Sequence, residues 1–185
     1  MVKNILLFFV ALGVVTVILG TVYGTVQQNY RQTAYDPEIQ MAEDTGNMLS
    51  QGGDAGEISS TYPQVNFAVS LSPFVIIYDQ EGKVVLATGN MDGSVPTPPI
   101  GVLQTVMAYG EDRLTWQPRK DVRIATIVVP YSYNGQSGFV LAGRNLREIE
   151  VREDNLSFMI FAGWCASVLG LLFYFLLKIF FTHER

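Results

Sequence analysis

Phe74-Val75-Ile76-Ile77-Tyr78-Asp79-Gln80-Glu81-Gly82-Lys83-Val84-Val85 decides how the folded part of this chain is read. Five apolar, mostly β-branched or aromatic residues form a strand signal. Asp79 and Gly82 then supply turn chemistry: Asp bonds its own backbone, and Gly accepts a positive φ. The run from Lys83 to Thr88 returns as a second strand. A hairpin here predicts a sheet domain.

Downstream, residues 90–99 are rich in Gly and Pro and predict a loop. Residues 100–109 read as a short helix with Val102, Leu103 and Val106 inward, ended by Gly110. Residues 112–117, 122–129 and 138–143 read as three strands. The last two flank Asn134-Gly135, a strong two-residue hairpin signal. Upstream, Asp36-Pro37-Glu38 is a helix start, with Asp as cap and Pro at the first helical position. Ile39, Ala42, Gly46 and Leu49 follow at helical spacing, and Gln51-Gly52-Gly53 ends the helix. Asp36, Glu38, Glu43 and Asp44 read as a helix start and a solvated face. Residues 53–61 read as a loop, and residues 64–71 as a short helical segment. Five mostly antiparallel strands with helices on one face make a small α+β domain.

The ends of the chain differ in kind. No charged residue lies between Lys3 and Arg31, or between Asp154 and Lys178. Each gap holds an apolar run of the roughly 20 residues a helix needs to cross a bilayer. Both runs therefore predict membrane spans, the first an uncleaved anchor in preference to a signal peptide. Lys3 at the front, with Lys178 and Arg185 at the back, favours both termini in the cytoplasm and the domain outside. Thr16, Gly20 and Gly24 recur every four residues in the first span, and Ala162, Ala166 and Gly170 in the second. Such stripes predict close helix packing, between the two spans or between two copies.

Between the spans lie nine basic and sixteen acidic residues, a formal charge of −7. That excess, without a basic stripe, argues against nucleic acid. The single cysteine, Cys165, lies in the second span, so no intrachain disulfide forms. The single histidine, His183, lies near the end of the chain, so a histidine-based catalytic triad in the domain is excluded. No nucleotide-binding glycine motif occurs. The chain is expected to be a non-enzyme without cofactor or metal.

The order strand, turn, strand, helix, three strands resembles the extracytoplasmic PAS-like (Cache-type) sensor domains of bacterial membrane receptors and sensor kinases. Residues 74–85 resemble the opening hairpin of that class. Gly138-Phe139-Val140-Leu141-Ala142-Gly143-Arg144-Asn145-Leu146 resembles its last strand entering an exit helix. The resemblance implies a PAS-like sheet with flanking helices, framed by two transmembrane helices. The expected divisions are a span at 1–26, a stalk and helices at 27–71, a sensor core at 72–145, an exit helix and span at 146–177, and a cytoplasmic tail at 178–185. Such receptors continue into a signalling module after the second span, whereas this chain ends at Arg185. The expected function is therefore a membrane sensor that signals through a membrane-protein partner or a homodimer. The alternative is an interaction module without a ligand. In PAS-like domains the ligand lies between the sheet and the segment joining strands two and three, here residues 90–110. Trp116, Arg119, Arg123, Tyr131 and Tyr133 are the candidate binding residues. An arginine fork beside aromatic rings suits a small organic acid.

Overall fold

The computed structural model describes residues 2–33 and 36–183; the stalk expectation at Ala34 and the tail charge at Arg185 lie outside them. The chain divides into two compact units, Met1–Arg31 with Glu150–Arg185, and Gln32–Ile149.

The second unit carries α2 (Asp36–Ser50), α3 (Ala55–Thr61) and α4 (Val102–Tyr109), together with strands β1 (Val65–Asn66), β2 (Phe74–Asp79), β3 (Val84–Ala87), β4 (Gly89–Asn90), β5 (Asp112–Arg119), β6 (Val122–Tyr133) and β7 (Gln136–Asn145). The main sheet has five antiparallel strands in the order β3-β2-β7-β6-β5. Its first hairpin closes as the residues require. Lys83 N donates to Asp79 Oδ1 at 2.7 Å, and Gly82 has φ +79°. Asn134 and Gly135 turn β6 into β7 with φ values of 49° and 79°, the twist that suits a two-residue hairpin. Pro118 lies in the edge strand β5, where the register shifts, so its missing N–H costs no ladder bond.

The helices cover both faces of the sheet, not one. Val75, Ile77, Ile127, Val140 and Ala142 pack against Met41, Ala42 and Leu49 of α2 and Ile58 of α3. Ile76, Tyr78, Ile124, Val128 and Leu141 pack on the other face against Val102 and Val106 of α4 and against Phe67. The reason lies in the strands, since Phe74–Tyr78, Ile124–Val129 and Gly138–Gly143 are mostly apolar and buried without a break, and strands buried on both sides lose alternation. Two further expectations change. Residues 55–61 form a helix, because Asp54 caps it by accepting from Gly56 N at 3.0 Å. Residues 65–66 form a strand, pairing in parallel with Gly89 and Asn90.

The first unit holds α1 (Val2–Thr33) as far as Arg31 and the portion from Glu150 onward of α5 (Arg147–His183). Both are long and apolar enough to cross a membrane, over Lys3–Tyr30 and Arg147–Phe181. Only 0% and 6% of their apolar windows are buried, so neither is the enclosed core helix of a globular fold. The two helices touch through Phe8 and Phe175, whose rings meet edge to face at 5.4 Å. Trp164 Nε1 donates to Thr16 Oγ1 at 3.0 Å, and Ser157 Oγ bonds Tyr23 OH at 3.3 Å. Of the small-residue stripes only Thr16 makes this contact, and the glycines do not. A Cβ added at Gly20, Gly24 or Gly170 would meet nothing within 4 Å. Aromatic and hydroxyl side chains, Thr16 among them, hold the pair, and the stripe glycines take no part in it.

Candidate functional site

The segment from β3 to α4, with Phe67–Val69, covers the α4 side of the sheet. Its polar rim is built on a tight turn. Asp92 has φ 52° and Gly93 φ 86°, and Gly93 N donates to Asn90 Oδ1 at 3.1 Å. Asp92 Oδ1 accepts from Asn66 Nδ2 at 3.0 Å, and Oδ2 accepts from Arg119 Nη1. The Asn66 hydrogen bond, then Arg119, hold the Asp92 carboxyl below the usual carboxylate range. Trp116 stands beside this rim on the same face, since it pairs with Ile124 as Leu114 pairs with Thr126. Its indole Nε1 is buried without a hydrogen-bond partner.

Beneath the rim lie packed aromatic side chains. Phe67 stacks on Phe74 with centroids 4.5 Å apart. Phe74 occupies a slot that only glycine permits, because a Cβ at Gly89 or Gly143 would meet its ring at 2.5 or 2.8 Å. Tyr78 is fully buried in the same cluster; its hydroxyl has no partner, and burial pushes its pKa up.

The five sequence candidates do not converge. Trp116 and Arg119 share the rim face, but Arg119 is already neutralised by Asp92. Arg123 is exposed and projects from the opposite face with Ala125 and Ile127. Tyr131 and Tyr133 lie eight and ten residues further along β6, about 26 Å or more from Arg123 at 3.3 Å per residue. Tyr131 lies across Gly138 and reaches Tyr78 O at 3.5 Å. Tyr133 closes over Gly52.

Two arrangements went unread in the sequence. Asn145 ends β7 and works in both directions: Nδ2 donates to Phe67 O at 2.8 Å, and Oδ1 accepts from Arg147 N at 2.8 Å. Arg147 in turn donates to Val69 O at 2.9 Å. The covering segment is thereby fastened to the start of α5. On the α2 face, Glu38 is completely buried rather than solvated, because it shares its helical face with Met41, Ala42, Thr45 and Leu49. Arg144 Nε comes within 2.8 Å of Glu38 Oε1, an ion pair by distance whose angle falls short of a hydrogen bond. Desolvation raises the Glu38 pKa, with Arg144 opposing it. The pair joins the first turn of α2 to the residue before Asn145.

Among the described residues, no three His, Cys, Asp or Glu side chains converge as a metal site. Compared with known proteins, the chain matches no family model and has no significant similarity to a curated protein.

Proposed function

We propose that the chain is a membrane-anchored sensor module, with both termini in the cytoplasm and the sheet domain outside, that passes the state of its domain to a partner protein in the membrane. The observation that carries this reading is the Asn145 junction. One side chain ties the segment covering the sheet to the first turn of the helix that enters the membrane. Asn66, bonded to Asp92, immediately precedes Phe67 in that segment. An event at the Asp92–Arg119 rim therefore has a short bonded route to α5. The element order of strand, turn, strand, helix and three strands supports the PAS-like reading. The outward stripes of Gly20, Gly24 and Gly170 supply a surface on which a partner span, or a second copy, can approach closely.

A small organic acid would bind at the rim by displacing Asp92 from Arg119. The test is a thermal-shift screen of the full chain in lipid nanodiscs against small acids and amino acids. A ligand that raises the melting temperature of the wild type, but not of Arg119→Ala, and alters amide exchange at the start of α5 supports the proposal. Silence across the panel removes the ligand. The packed aromatic side chains under the rim favour a second reading, in which the domain docks an extracytoplasmic protein and takes no small molecule. Crosslinking in membranes that captures the same domain partner with and without the rim residues distinguishes it.

A further inference from the structure

At the opposite end of β7 from Asn145, the sheet opens into a groove. Pairing between β5 and β6 starts at Val128, so beyond that residue β6 has a free outer side. The hairpin turn after β2, the last turn of α2 and the exposed side of α4 surround this gap. They border an open groove of about 380 Å³, within the range of small-molecule sites.

Its chemistry is specific in what it contains and what it lacks. Phe139 gives an apolar floor, and Met107, largely exposed, an apolar wall. Around that floor stand hydroxyl and amide groups whose hydrogen-bonding capacity is only partly used. Ser137 Oγ donates to Gln80 Oε1 at 3.1 Å, which leaves the Gln80 amide N–H groups available. Ser50 Oγ accepts from Ser132 N at 3.4 Å, which leaves its own O–H to donate. Among the described residues no charged side chain lines the groove; burial, and then the Asp79 carboxylate next to Gln80, raise the pKa of Tyr131 in its lining. A carboxylate or phosphate would find no cation among these side chains and would be repelled by Asp79, whereas a neutral ligand meets no such penalty. The ligand class that matches an apolar floor with a rim of neutral donors and acceptors is a ring with one C–H face and hydroxyls at its edge. We propose that this groove is a binding site for a neutral saccharide, separate from the Asp92–Arg119 rim.

The test is binding of D-glucose, maltose and N-acetyl-D-glucosamine to the full chain in nanodiscs prepared without glycosidic detergent, read by saturation-transfer NMR, with L-glutamate as the charged control. The expected result is saturable binding of at least one saccharide and none of glutamate. Gln80→Ala and Ser137→Ala each weaken that binding by about tenfold, the scale of one or two lost hydrogen bonds, with unchanged melting temperature. Arg119→Ala leaves it unchanged, so loss of this site and loss of the rim site are told apart. No saturable binding of any of the three saccharides, or equal binding by wild type and both groove variants, overturns the proposal.

Discussion

Replacing Arg144 by methionine tests how the domain holds Glu38. The wild-type carboxylate is completely buried, with Arg144 Nε 2.8 Å away and the arginine side chain 25% exposed. Without that cation the carboxyl can remain buried only by taking up a proton. At pH 7, protonating a glutamate of ordinary pKa near 4.3 costs about 3.7 kcal/mol, from about 1.4 kcal/mol for each of 2.7 pH units. This is a ceiling, because burial already raises the wild-type pKa. Arg144→Met is therefore expected to destabilise the domain by about 3 kcal/mol at pH 7, in line with the loss of one member of a buried pair. At pH 5 the same ceiling is about 1 kcal/mol, so the penalty shrinks on acidification. In Glu38→Met/Arg144→Met the charge is gone, and the loss should fall to near zero or reverse. Arg144 makes further contacts, so Glu38→Gln and Glu38→Gln/Arg144→Met complete the cycle and isolate the pair. The assay is urea denaturation of the full chain in nanodiscs, followed by Trp116 fluorescence in a Trp164→Phe background. A penalty below about 0.5 kcal/mol at pH 7, or one that does not change with pH, refutes the reasoning.

The remaining predictions are narrower. The folded domain binds the Glu38 proton more tightly than the unfolded chain, so this contribution to stability is present below the unfolded pKa and lost as pH rises through the folded one. Melting curves of Glu38→Gln and wild type should therefore diverge in favour of the glutamine as pH rises from acid to neutral, whereas parallel curves contradict the assignment. Gly138→Ala places a Cβ 2.2 Å from Tyr78 O, a backbone atom, and is expected to destabilise by about 1–3 kcal/mol. Adding Tyr131→Ala should not rescue it, and full rescue would show that the ring, not the strand, sets the limit. Cysteines at Phe8 and Phe175 in a Cys165→Ser chain should crosslink within one chain, whereas cysteines at Gly20 and Ala166 should not. An intrachain Gly20–Ala166 crosslink contradicts the helix pairing.

Local chemistry made much of this fold legible. The Asp79–Gly82 and Asn134–Gly135 turns, a helix beginning at Asp36-Pro37-Glu38 and two helices built on charge-free runs all depend on neighbours in sequence, and the structure has them. Long-range choices were harder to read. The strand at Val65–Asn66 exists only because Gly89–Asn90 comes alongside, and nothing local in residues 64–71 announces it. Coverage of both faces was available in the unbroken apolar runs of β2, β6 and β7, but five strands alone do not decide it. Glu38 was hidden by its company: among Asp36, Glu43 and Asp44 it looks solvated, and only its spacing with Met41, Ala42, Thr45 and Leu49 places it inward. The candidate site scattered for a similar reason. Trp116, Arg123 and Tyr131 are close in the chain, yet strand alternation and strand length put them on different faces and at different ends.

A sensor role requires the membrane to hold the domain on the side away from both termini. The direct measurement uses single cysteines at Lys120 and Lys3 in a Cys165→Ser chain expressed in a bacterial inner membrane, probed in spheroplasts with a membrane-impermeant maleimide. The account predicts that the Lys120→Cys chain labels in intact spheroplasts and the Lys3→Cys chain only after permeabilisation. Labelling of both only after permeabilisation, or recovery of the chain in the soluble fraction, contradicts it.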